Sequence, residues 1–210
     1  MSMEQDEVKK CRVYHDNYLK RLDRINHLLI AQEYSSLPFE NYIYRESIAP
    51  ICEKGQDMVL FQISKAFHNS KNSFPTTKDK NWYLDGLRGC EDSKVKVLVI
   101  DPEDVISDDE DQKKMFETIK TRIVSKIDVV LLSYSKNAGK ENEGRALLKL
   151  KKLFMNNIRG KLGDSTKYDV YQCHFPSGSC REKFQDNMKI ILDKKKLDKS
   201  DLLLKELSKN

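Results

Sequence analysis

The sequence predicts an α/β domain built on a parallel sheet, and three observations lead to it. Strand-like and helix-like segments alternate from residue 58 to the C-terminus, and alternation at this length implies parallel pairing through right-handed crossovers. The strand KVKVLVID (94–101) sets Val95, Val97 and Val99 in alternation with Lys96 and Leu98 before closing on Asp101-Pro102. At 210 residues and 39% hydrophobic, the chain is long enough for one core without a disulfide or metal staple.

Taken in order, residues 8–34 carry Val13, Leu19, Leu22, Ile25, Leu28 and Leu29 at helical spacing. One helix is expected there, broken by Ser35, Ser36 and Pro38. MVLFQI (58–63) comes after the turn-like Glu53–Asp57 and is expected to be a strand, with 65–81 a loop or a short helix plus loop. After the strand at 94–101, the segment 101–111 holds seven carboxylates and no base. It leads into a helix striped with Met115, Phe116, Ile119, Ile123 and Val124, where acids at the front favour the N-terminus. IDVVLLSYS (127–135) is a second clear strand, 146–162 a basic amphipathic helix ended by Gly163, and YDVYQCHF (168–175) a third strand. A long helix over 180–207 finishes the chain. The expected architecture is a three-layer sandwich. Its ligands belong outside the carboxyl ends of the strands, in four loops: Ser64 onward, Asp101–Asp111, Tyr134–Lys140 and Phe175–Cys180.

Composition excludes several classes. No apolar run approaches the roughly 18 residues of a membrane span, and MSMEQDEVKK has no apolar core of a secretory signal. Five scattered cysteines argue for free thiols in a reducing compartment. Cys173, His174 and Cys180 offer half of a zinc ligand set with no second pair, so no metal is assigned. The basic helix 145–161 carries six Lys/Arg and no acid, but aromatic residues do not interleave with them, and net charge is only +5. A solvated face is expected, and no nucleic-acid partner.

From Asn81 onward the order of motifs resembles the Ras-like domain of a heterotrimeric G-protein alpha subunit. The residues that carry this are Lys80-Asn81-Trp82, the strand VKVLVI, Pro102-Glu103-Asp104, Lys114–Lys120, the strand IDVVLLS with Tyr134-Ser135-Lys136-Asn137, and Val170–His174. Upstream, Asn17–Ile25 resembles the end of that family's helical domain. The resemblance implies a Ras-like, P-loop NTPase type of parallel sheet, incomplete, with an N-terminal helical remnant. Residues 1–38 would be that remnant, and 39–210 a Ras-like domain lacking its first strand and phosphate-binding loop. The chain would then be a truncated, diverged alpha subunit.

The family's role implies GTP or GDP with Mg as cofactors, a beta-gamma dimer and a receptor as partners, and a cytoplasmic location at the inner face of the plasma membrane. Residue by residue, little of the nucleotide machinery carries over. The phosphate-binding string G-x-x-x-x-G-K-[ST] is absent from the sequence. Arg45 falls where the family keeps the arginine that stabilises the transferring phosphate, while Ile48 replaces the Mg-binding Thr; Ser47 and Ser64 are its polar neighbours. Lys136 and Asn137 stand in the base-recognition loop, Asn137 with an amide in place of the carboxylate, and Ser177 in the last loop. The resemblance therefore implies a pseudo-GTPase: GTP binding and hydrolysis impaired, function by protein–protein contact. The alternative is an unrelated α/β adaptor, with nucleic-acid binding through 145–161 as its test.

Overall fold

Four strands lie side by side, each carrying buried apolar residues that helices cover. The computed structural model describes residues 3–31, 43–46, 58–68, 80–89, 96–100, 110–133, 140–163, 167–176, 178–194 and 202–208. Among these, β1 (His27–Ala31), β2 (Val97–Ile100), β3 (Ile127–Ser133) and β4 (Tyr168–His174) form one sheet in the order β2-β1-β3-β4. All three pairings are parallel, with Leu29 facing Val99 on one side and Val130 on the other. Leu28 to Ala31 are wholly buried, as a central strand covered on both faces must be.

The helices are α1 (Met3–Arg21), α2 (Met58–His68), α3 (Lys80–Leu87), α4 (Glu110–Arg122), α5 (Lys140–Leu153), α6 (Arg159–Leu162), α7 (Arg181–Leu192) and α8 (Lys205–Ser208). A π-helical turn, Phe154–Ile158, joins α5 to α6. α2 and α7 share one face of the sheet: Phe67 packs on His27 at 4.9 Å, and the Cys173 thiol points to the Phe184 carbonyl at 3.9 Å. The opposite face takes Phe154, set edge-on to Tyr168 at 6.0 Å, and α4, whose Phe116 ring lies under Lys161 at 5.2 Å.

The α/β expectation therefore stands as a parallel sheet with helices. Three element assignments change. The helix expected over 8–34 stops at Arg21, and His27–Ala31 becomes the sheet's central strand. Ile25, Leu28 and Leu29 fit a helical stripe, but short apolar runs satisfy either period. MVLFQI (58–63) is helical instead, because the pattern continues: Leu60, Ile63 and Phe67 fall on one buried face of α2. Ser64 is thus a wholly buried helix residue and not the start of a loop. The helix expected to reach 207 ends at Leu192; Leu202–Leu204 pair antiparallel with the outer edge of β4, Gln172 N–H donating to Leu202 O at 2.9 Å and Leu204 N–H to Val170 O at 2.8 Å.

Close packing of α2 on α3 depends on Gly86. A Cβ there would lie 2.3 Å from His68 Nε2, whose ring stacks on Trp82 at 5.8 Å. Alanine normally favours a helix over glycine by up to about 1 kcal/mol, but overpacking costs about 1–3 kcal/mol. Gly86→Ala is expected to lower stability by a net ~1–2 kcal/mol, read as a lower urea midpoint at unchanged slope.

Candidate functional site

The chain leaves the carboxyl edge of the sheet at Ala31, Ile100, Ser133 and His174. In doubly wound sheets the ligand crevice lies where strand order reverses, here between the ends of β1 and β3. Lys136, Asn137 and Ser177 lie outside the described residues. Arg45 is described and half-buried. Its neighbour Tyr44 is anchored on Val99 of β2, three strands from β4, or about 14 Å across the sheet. Arg45 therefore belongs to the β2 edge, and the loop after β4 to the other.

That second region is where the described residues form a groove of about 750 Å³, between α2 and α7. Gly178 and Ser179 open it at the end of β4, Gly178 taking φ +58°, a backbone conformation that suits glycine. Gln185 fixes its floor by donating to Gln62 twice, to the backbone carbonyl at 2.8 Å and to Oε1 at 2.9 Å. Lys65, Arg181 and Lys189 supply positive charge; Glu182 and Asp186 supply negative charge. Arg181 is steered by its bond to the Gly178 carbonyl at 3.0 Å, and Lys189 reaches Asp186 at 3.4 Å. Among the described residues no aliphatic or aromatic side chain lines the groove.

One cluster of titratable groups away from the groove is arranged for structure. At the amino edge, Asp128 is bonded by Lys194 and lies 3.2 Å from His27 Nδ1, while Lys194 also reaches Tyr171 Oη at 3.1 Å. Burial would raise the Asp128 carboxyl, but the His27 ring beside it and the bond from Lys194 outweigh it and hold the group below its ordinary value. Burial raises Tyr171, and Lys194 is raised because Asp128 and Tyr171 overcome its own desolvation. Each group is thereby locked in its resting form, the opposite of a tuned acid or base.

Burial likewise pushes the Cys173 thiol well up, away from nucleophilic use. His174 Nδ1 sits 2.8 Å from Asn187 Oδ1. Along the basic helix, Lys151 is paired with Glu206 at 2.8 Å and Lys161 covers Phe116. Lys149 and Lys152 point to solvent.

The groove residues Gln62, Lys65, Arg181, Gln185 and Lys189 are not among the candidates that the sequence offers. One signal for them is present: Arg181, Gln185 and Lys189 recur every four residues and so share a helix face. Gln62 and Lys65 are hidden by the strand-like look of 58–63. No helix among the described residues is long and apolar enough to cross a membrane, and none of their His, Cys, Asp and Glu side chains cluster as a metal site. Comparison with family models, curated proteins and solved structures finds no match to this chain.

Proposed function

We propose that this chain is a G-protein-alpha-like signalling domain that works by protein–protein contact through the α2–α7 groove, and that it neither binds GTP tightly nor hydrolyses it. The observation that carries this reading is the composition of the segment after the central strand. In a phosphate-binding domain that stretch must supply glycines for close backbone approach and a lysine for the phosphates. Residues 32–42, QEYSSLPFENY, contain neither. Mg has no evident ligand either, with Ile48 where the family keeps Thr.

The groove supports contact with a protein surface. Small-molecule sites are lined mainly by apolar and aromatic groups; this one offers interspersed charges and a rigid amide pair, which suit the polar face of a partner. By the resemblance, the C-terminal helical region faces a receptor, and a beta-gamma dimer engages elsewhere. On the same grounds the protein works in the cytoplasm, at the inner face of the plasma membrane.

Isothermal titration with GTP and Mg tests the nucleotide half: flat traces are expected, and micromolar, Mg-dependent binding would overturn it. The groove half is tested in cells with a photo-crosslinking amino acid placed at Lys189 or, as control, at Lys113 on α4. A discrete adduct is expected from position 189 alone. Identical adduct patterns from both positions would sink the assignment.

A further inference from the structure

The two outer edges of the sheet are closed by different means. β4 is met by backbone from Leu202–Leu204. β2 is met by side chains. The Val97 carbonyl accepts from Tyr18 Oη at 2.6 Å, the Val99 carbonyl accepts from Tyr44 Oη at 2.8 Å, and the Val99 N–H donates to that same Tyr44 oxygen at 2.6 Å. One phenol thus serves as donor and acceptor where a further strand would place its own amide groups. The two rings lie 4.3 Å apart, both no more than 2% exposed.

His15 stands one turn before Tyr18 on α1 and packs edge-on against Tyr44 at 5.1 Å. It is 6% exposed, lies against the Val99 backbone, and leaves Nδ1 without a hydrogen-bond partner among the described residues. A second ring proton would therefore meet no acceptor. The surrounding charge does not welcome it. Arg12 lies one turn back on α1, and the Arg88 guanidinium sits 5.4 Å over the Tyr18 ring. The nearby carboxylates are engaged: Asp85 with Arg88, and Glu46 with Arg21 at 2.6 Å and Arg88 at 4.0 Å.

We propose that α1 and the Ile43–Glu46 turn form a proton-released strap over the edge of β2, with His15 as the sensing group. Release uncovers the Val97 and Val99 backbone groups, the kind of edge that accepts another strand. Burial holds His15 at about 4, against 6.5 for the free side chain. Opening returns the ring to water, so it takes up a proton between those values. From pH 7 to pH 5 the opening equilibrium therefore rises about 20-fold.

The Val99 amide reports the event directly, because its acceptor is Tyr44 Oη. Hydrogen exchange followed by NMR, corrected for intrinsic pH dependence, is expected to show Val99 exchanging faster than Val130 in the sheet interior at every pH. Its protection should fall about 20-fold from pH 7 to pH 5, and His15→Phe should abolish that fall. Exchange of Val99 only at the rate of Val130, or pH-independent protection in the unsubstituted protein, would overturn the proposal. If His15→Phe does not fold, His15→Gln decides: Val99 protection must then be the same at pH 7 and pH 5, and a retained fall of about 20-fold rejects His15 as the sensing group.

Discussion

Between pH 7 and pH 4 the fold is expected to lose about 3 kcal/mol of stability through His15 alone. The direction comes from the sign of the shift. His15 is lowered from 6.5 to about 4 by burial, so between those values the unfolded chain binds a proton that the folded chain refuses. Its contribution is intact above pH 6.5 and drains away as pH falls toward 4. The carboxylates act in a different window. Asp128, Asp23 and Glu206 are all held below their ordinary values of 3.8 or 4.5, so their contributions are lost only at lower pH. Urea midpoints at pH 7, 5.5 and 4.5 separate the two groups. The gap between the unsubstituted protein and His15→Phe should shift steadily in the variant's favour across that range. Parallel pH profiles for the two proteins would assign the acid sensitivity elsewhere.

Replacing Lys194 by methionine is expected to destabilise the fold by about 2–3 kcal/mol at neutral pH. Asp128 is 8% exposed, and its two neighbours are Lys194 and His27. Removing the lysine leaves a buried carboxylate with a single imidazole beside it, and also strips the cation from the face of Tyr171, where it sits at 4.9 Å. The figure is set at the low end because the lysine side chain is itself half-exposed, so solvent already screens the pair. Methionine keeps most of the stem that packs there. The variant's deficit should shrink as pH falls, since protonating Asp128 relieves the uncompensated charge. Chemical denaturation at pH 7 and pH 4 checks both statements, and a deficit unchanged by pH would mean that packing, not charge, was lost.

Strands β2 and β3 are legible as mainly apolar runs and β4 as a mixed aromatic and β-branched segment, each set off by charged or turn-forming residues. β1 is not, for a specific reason. The stripe of α1 runs through Leu19, Leu22 and Ile25 straight into HLLIA without a glycine or proline between them, so the switch from one period to the other leaves no punctuation. α2 is lost to a window that closes at Ile63; the deciding residues, Ala66 and Phe67, come afterwards. The end of α7 is invisible in principle. Asp193 and Lys194 look like ordinary helix residues, and the tertiary bond that Lys194 makes to Asp128 has no local signature.

The candidate site divides in the same way. The loop at 175–180 is marked by its place after a strand, and Gly178 and Ser179 do open the groove. Arg45 comes from the resemblance alone, and the fold puts it at the far edge. The arginine–glutamine–lysine series on α7 is readable at a spacing of four, but that spacing matches no motif with a known ligand.

The π-helical turn at Phe154–Ile158 has a consequence for how this chain can change length. Leu150, Phe154, Ile158 and Leu162 are all buried at a strict interval of four. In an unbroken α-helix each such step overshoots by about 40°, and the fourth residue would have rotated out of the seam. The wider turn absorbs the overshoot and keeps all four buried. Losing one residue from 155–157 would reset the intervals to four, three and four, the spacing an ordinary helix prefers. The segment is thus a place where the gene can shed a codon while both ends of the helix keep their buried face.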